Sequence, residues 1–217
     1  MHSKNSSDDQ LVPTRSFIEQ ARRAQIVEAT IEVLADYGYT NLSFNRIAKH
    51  AKISPSLISY HFKDKKELLY EVLTTISMDR IQHVQSVIDT APTAADKLRV
   101  AIEADLAHMG THPKRFPAVV EITFNSRDAN GRITYMADES DEPRADPATK
   151  LLEDIMLAGQ KSGEFGDFDV EHAALIIDAA RDNFLALLPL RPDSDLERFS
   201  SNLVDTALMI VRKGEKK

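Results

Sequence analysis

The stretch SFNRIAKHAKISPSLISYHF, residues 43–62, decides how the chain is read. Ser43 and Ser54 each precede a run with helical spacing, where a serine hydroxyl can accept a hydrogen bond from an amide of the first turn. Pro55 stands at the first helical position after Ser54, where its missing N–H costs nothing. Ile47, Ala51, Ile53 and Ile58 sit where two crossing helices and their turn need apolar filling, and Ala48 is small where the second helix passes closest. This is the spacing of a helix-turn-helix, which lays its second helix in the major groove of DNA. With Ile58 and Phe62 turned inward, the outward face is Pro55, Ser56, Leu57, Ser59, Tyr60 and His61, followed by Lys63, Lys65 and Lys66. Such a mixture suits a surface that sits against a polyanion, with the small side chains reading and the lysines meeting phosphates.

The charge pattern agrees. The 217 residues carry a net charge of −7, which argues against a nucleic-acid partner until its distribution is seen. Between Arg15 and Lys66 nine Lys and Arg face five Asp and Glu, so this segment is +4 and the remainder −11. A basic amino-terminal unit on an acidic body is a nucleic-acid module carried by a domain with another task.

Outward from the motif, helical signals follow one another. Arg15 to Tyr37 reads as a first helix with Ile26, Ala29, Thr30, Val33 and Tyr37 on one buried face, closed by Gly38 as a left-handed cap. Helices are expected from Ser43 to about Ala51, from Ser54 onward, and from Asp64, whose Asp-Lys-Lys-Glu opening resembles a capping box, to about Ile88. Leu98, Ala101, Ile102, Leu106 and Met109 form a further stripe, broken at Gly110 and Pro113. Helices over about 114–126, 150–161, 169–188 and 196–212 follow, the last with Phe199, Leu203, Ala207 and Ile210 on one face. Residues 127–147 give no consistent pattern. There is no repeat and no alternating strand pattern, so the expectation is an all-α protein of about nine helices.

Seven glycines in 217 residues suit helices, and the absence of cysteine excludes disulfides and thiolate chemistry. No apolar run approaches the roughly 18 residues of a membrane span. These features fit a cytoplasmic protein without a membrane partner. Residues 1–14 are polar and read as a flexible tail.

From Ile26 to Leu69 the order IVEATIEVLADYGYTNLSFNRIAKHAKISPSLISYHFKDKKELL resembles the TetR family of transcriptional regulators: a helix ending Tyr-Gly-Tyr, then Ile-Ala-Lys, then a reading helix ending Tyr-His-Phe, then Lys-x-Lys-x-Glu-Leu-Leu. The resemblance implies a helix-turn-helix DNA-binding domain over 15–66 and a helical effector-binding and dimerisation domain over 67–217. It implies that Ser43 and Arg46 touch phosphate or a base edge. It places Ser56, Leu57 and Ser59 toward the bases, Ser54 and Pro55 with them on the DNA-binding surface, and Tyr60 and His61 on the backbone. Lys65, at the start of the fourth helix, would bind a phosphate with help from the helix dipole. Two positions depart from the family pattern. Lys52 stands where glycine is usual in the turn, so a left-handed backbone there would cost about 1 kcal/mol. Ser59 stands where an aromatic is common.

The resemblance further implies a homodimer through the last two helices, a pseudo-palindromic double-stranded operator, and a small-molecule effector that releases a repressor; an activator is the alternative within the class. Candidate lining residues are Met78, Leu106, Met109, Phe116, Val120, Phe124, Tyr135, Met156 and Phe184, with His112, Asn125, Arg181 and Asn183 as polar partners. Asp105, His108 and His112 have a spacing that can bind a metal, yet without a second ligand set they read as ordinary helix-end residues. Asp178 and Asp182, flanking Arg181, read as a solvated or salt-bridged face. No phosphate loop, nucleophile elbow, HExxH or paired Glu-x-x-His occurs, so neither an enzyme nor a cofactor is expected. A helical enzyme, or a helix-turn-helix that binds protein, are the competing readings.

Overall fold

The computed structural model describes residues 17–127, 130–133, 146–191 and 193–213. The expected tail and Tyr135 lie outside these. Within them the chain forms nine α-helices: α1 (Phe17–Tyr37), α2 (Phe44–Ala51), α3 (Pro55–His61), α4 (Lys65–Ile88), α5 (Ala94–Thr111), α6 (Arg115–Asn125), α7 (Pro147–Ser162), α8 (Val170–Leu187) and α9 (Leu196–Ile210). Two 3₁₀ turns and one isolated bridge between Arg127 and Ile133 complete the described residues, which contain no strand. The fold is all-α.

Local chemistry sets most helix ends. The Ser43 hydroxyl accepts from the Arg46 amide and the Ser54 hydroxyl from the Leu57 amide. Asp64 accepts from the Glu67 amide, but Glu67 reaches back to the Lys63 amide, 2.8 Å away, one residue beyond the usual partner of a capping box. Thr93, Asp146, Asp169 and Asp195 cap α5, α7, α8 and α9 in the same way. Gly163, at φ 74° and ψ 15°, closes α7 in the left-handed conformation.

Several expectations need correction. Gly38 has φ 75° but ψ 167°, so it is an extended positive-φ residue entering a 3₁₀ turn at Tyr39–Asn41, not a left-handed cap. Tyr37 does not join the buried face of α1; it is half exposed, because the helix ends there and its ring backs Arg46. Gly110 does not break α5, which continues to Thr111. The buried face of α9 is Ser200, Leu203, Val204 and Ala207, turned from the expected one so that Phe199 and Ile210 lie only part-buried.

The helices bury one continuous apolar core. At the amino end α1 packs on α2, α4 and α6, with Ile26, Val33, Leu34, Ile47, Ile58 and Phe62 wholly or almost wholly buried. In the body α5 is central and meets α4, α7, α8 and α9. The helix α4 is 24 residues long and belongs to both groups, since it packs on α1 at one end and on α5 and α7 beyond. Contacts of α6 with α1 and α8 tie the two ends a second time.

Candidate nucleic-acid interface and effector cavity

The turn between α2 and α3 hinges on Lys52, at φ 55° and ψ 44°, the one positive-φ residue other than glycine among those described. A left-handed residue at this point swings the chain so that the Ile53 amide returns to the Ala48 carbonyl at 3.0 Å. With Ile58 and Phe62 anchored inside, the opposite side of α3 is left in solvent: Pro55, Ser56, Ser59 and Tyr60 are exposed and Leu57 is half-buried. Tyr60 is 78% exposed, a large aromatic that contributes nothing to the core. Ser43 and Ser54 are exposed at the two helix starts.

Several of these side chains already have partners. The hydroxyls of Ser54 and Ser56 are 3.0 Å apart, and Ser59 returns its hydroxyl to the Pro55 carbonyl at 3.4 Å. The Arg46 guanidinium lies over the Tyr37 ring, 4.7 Å from its centroid. Lys65 points its ammonium at the Tyr39 ring, 3.8 Å from the centroid, and donates to the Tyr39 carbonyl; partial burial lowers its pKa. Lys63 and Lys66 after α3 are exposed, as are Lys49 and Lys52 before it. His61 is half-buried, and its ring Nδ1 finds no partner among the described residues.

Arg23 is one of the nine cations between Arg15 and Lys66. It is buried in α1, against α3 and α4. The signal was present, because Arg23 continues the stripe of Ile26, Val27 and Thr30, and a charge in register with a buried stripe must find a partner inside.

The same rule applies in the body. Arg80 interrupts the stripe Leu69, Val72, Ile76, Val84 and Ile88 of α4, and Asp105 that of α5. The two meet in a two-pronged ion pair, Nε to Oδ1 and Nη2 to Oδ2. Arg181 of α8 lies 3.4 Å from Asp105 and also pairs with Asp178 and Asp182. Asp178 and Arg181 are 5% and 4% exposed, so of the two expected readings, solvated or salt-bridged, the face is salt-bridged, and Arg181 and Asp178 lie inside the body. Burial would raise the Asp105 carboxyl, but the charge and hydrogen bonds of Arg80, with Arg181 behind it, hold it below its ordinary value. Burial wins at Asp178, whose carboxyl is pushed up despite Arg181 and a hydrogen bond from Thr149.

Beside this network is a cleft of about 390 Å³ empty volume, open mouth included, where α4, α5, α7, α8 and α9 converge. Its walls are aliphatic: Ile81, Val84, Ala101, Ile102, Ala148, Leu151, Leu152, Ile177 and Leu203, with Arg80, Asp105 and Arg181 at its polar end. Of the expected lining residues that are described, Arg181 alone borders it. Leu106, Met109 and Met156 are core side chains, and Met78 and Phe124 are 51% and 58% exposed. Phe116 and Val120 are half-buried in α6, and Phe184 stacks on Phe199 at 3.9 Å between centroids. Asn125 bonds back to Glu121 and Asn183 is exposed.

His108 and His112 join His83 in a stack of imidazoles, 4.6 and 4.8 Å between neighbouring centroids. His108 Nε2 faces Asp79 at 3.1 Å and Arg115 at 3.3 Å, while His112 Nδ1 approaches the His108 carbonyl. No group of three potential ligands among the described residues is arranged to hold a metal.

Residues 26–72, which hold α2, α3 and the buried part of α1 that positions them, match the model of bacterial regulatory proteins of the tetR family. Over these residues the chain is similar to the DNA-binding unit of TetR-family transcriptional regulators. The fatty acid metabolism regulator protein of Bacillus subtilis (strain 168) is 24% identical over 155 residues, 70% of this chain and 76% of that one. The structure of the fatty acid degradation regulator FadR from Bacillus halodurans superposes with a TM-score of 0.75 at 18% identity, over 93% of this chain and all of that one. FadR from Bacillus subtilis, solved with stearoyl-CoA, gives 0.71 at 22% identity, over 86% and 97% of the two chains. At these identities the structures speak for the fold alone.

Proposed function

We propose that the protein is a homodimeric repressor that holds a pseudo-palindromic operator with two copies of α3 and is released by a small molecule seated among α4, α5, α7, α8 and α9. The observation that carries this reading is the exposed outer side of α3, polar but for Tyr60 and Leu57, held outward by the buried Ile58 and Phe62. Ser56, Leu57 and Ser59 face base edges, with Ser54 and Pro55 at the entry. Ser43, Arg46, Tyr60, His61 and Lys65 contact the backbone, Lys65 by exchanging the Tyr39 carbonyl for a phosphate. Two such helices about 34–36 Å apart address successive major grooves. Residues 15–66 form the DNA-binding part and 67–217 the effector and dimerisation part, with α4 as the lever between them. The dimer forms through α8 and α9. Its support is the apolar ridge Leu175 and Ile176, 59% and 56% exposed on α8, and Met209, 67% exposed on α9.

The aliphatic walls favour an effector with an aliphatic portion, since they carry no aromatic ring on which a planar ligand would stack, and with about 20 Å³ of room the helices must part to admit it. That the related FadR of Bacillus subtilis was solved with stearoyl-CoA supports the same class. No cofactor or catalytic step enters this reading, and the protein acts in the cytoplasm, on its operator. An effector shifts the operator equilibrium only if it binds the two states unequally.

The test is selection of duplexes from a random-sequence pool at low salt, then titration of the selected duplex with stearoyl-CoA. Recovery of two half-sites about one helical turn apart, with transcription from a promoter carrying them falling on addition of protein, is the expected result. Failure to select any duplex overturns the reading. Rising transcription makes the protein an activator, and a complex indifferent to stearoyl-CoA removes the acyl effector.

A further inference from the structure

The buried guanidinium of Arg23 has the contacts of a linkage, not of a surface cation. Nη1 donates to the carbonyl of His61, the last residue of α3, and lies 3.4 Å from Glu67 Oε1; Nη2 donates to Glu71 Oε2 at 2.8 Å. The planar group covers the Phe62 ring, its Cζ 4.0 Å from the centroid. Only 7% of the side chain is exposed, so Arg23 is closed off from any nucleic acid. A helix leaves its last carbonyls without internal partners, and a cation there is favoured by the helix dipole. Arg23 fills that position for the seven-residue α3 while its other edge is held by two carboxylates one turn apart on α4.

We propose that Arg23 is the positioning residue that couples α4 to the reading helix. The inference rests on the reading of α3 as the DNA-contacting helix. The geometry favours it because α4 is the element that also carries Arg80 into the wall of the aliphatic cleft. Glu71 and Arg80 are nine residues apart on one helix, about 14 Å of rigid rise. A tilt or shift of α4 imposed at the cleft moves Glu67 and Glu71, and the guanidinium passes that movement to the carboxyl end of α3 through one planar group. Glu67 strengthens the joint, since its second oxygen accepts from the Lys63 amide in the connection between α3 and α4. Arginine is required because lysine presents a point charge and not a planar fork, and so does not serve the His61 carbonyl and Glu71 together.

The experiment uses a duplex selected by the full-length wild-type protein. If no duplex is selected, the functional reading fails before the linkage is tested. With a duplex in hand, Arg23→Lys, Arg23→Gln, Glu71→Gln and the double variant Arg23→Gln/Glu71→Gln are compared for duplex affinity across salt and for amide hydrogen exchange. The expected result is a loss of affinity of about tenfold or more in Arg23→Lys and Arg23→Gln with an unchanged salt slope, since no phosphate contact is removed. The two single effects should be non-additive in the double variant. Exchange should rise at the amides of residues 58–62 in Glu71→Gln, although that substitution lies on α4, while the amides of Val33 and Leu34 keep their protection. Wild-type affinity in Arg23→Lys, a salt slope reduced by about one, or additive effects would each overturn the inference. So would exchange rising equally at 33–34 and 58–62, which is general loosening. Should Arg23→Gln fail to fold, Glu71→Gln, with Arg23 intact, decides by the exchange at 58–62 alone.

Discussion

At Lys52 a side chain with a Cβ holds the left-handed turn between α2 and α3. The backbone there costs about 1–2 kcal/mol relative to an ordinary region, and glycine would remove that cost while losing about 0.5–1 kcal/mol to the entropy of the unfolded chain. Lys52→Gly should therefore stabilise the protein by about 0.5–1 kcal/mol, read as a higher urea midpoint at an unchanged slope. The buried Asp105 makes the opposite case. It faces Arg80 in a two-pronged pair and lies 3.4 Å from Arg181. Asp105→Asn takes the two-pronged counter-charge from buried Arg80, leaving it Asp146 at 3.7 Å, and should cost about 3 kcal/mol in the same measurement. Both residues show what a single sequence discloses. The strain at Lys52 is legible from the turn spacing. Asp105, Arg80 and Arg23 are legible only as charges out of place on apolar stripes, because the stripe identifies the buried face but not the residue across from it.

At the scale of elements, α4, α5 and α6 meet in the histidine stack, and the charges facing it come from every helix around it. Asp79 and His83 lie on α4, His112 on α5, and Arg115 on α6, where it also reaches Asp79 and, at 3.7 Å, Glu28 of α1. Burial is the main cause that lowers the His108 pKa; Asp79 opposes it, and His83, His112 and Arg115 reinforce it. The folded protein thus binds fewer protons at His108 than the unfolded chain, whose imidazole titrates near pH 6.5, so stability falls as pH drops through about 6.5. The exposed His172, raised by Asp169, has the opposite sign: its contribution is present at low pH and lost as pH rises. The loss of urea stability between pH 7.5 and 5.5 should be smaller in His108→Gln than in the wild type, which isolates the stack from His172. An equal pH dependence in the two proteins would remove His108 as its source. The stack joins residues 25 apart in sequence, beyond the reach of helical spacing, which showed only the pair His108 and His112.

For the whole molecule, the decisive property is what covers Leu175 and Ile176. Two adjacent large aliphatic side chains, 59% and 56% exposed, gain about 1–2 kcal/mol each on full burial. On the proposed dimer through α8 and α9, sedimentation should show a dimer for the wild type and a monomer for Leu175→Glu/Ile176→Glu, and the variant's affinity for a two-half-site duplex should drop to that of a single half-site. The fold itself should persist, since neither side chain belongs to the core. A dimer that survives the double substitution would place the interface elsewhere. Serine and aspartate caps, the helical spacing of apolar residues and the joint order of residues 26–69 determined by themselves an all-α chain with an amino-terminal DNA-binding motif. Those are local signals, acting within a turn or two of helix. Which carboxylate neutralises Arg23, which helices wall the aliphatic cleft, and why the expected lining residues Met78 and Phe124 face solvent were decided by the tertiary structure alone. Ion pairing and cavity shape depend on how distant helices rotate against each other, and that rotation is set by the packing of the whole core.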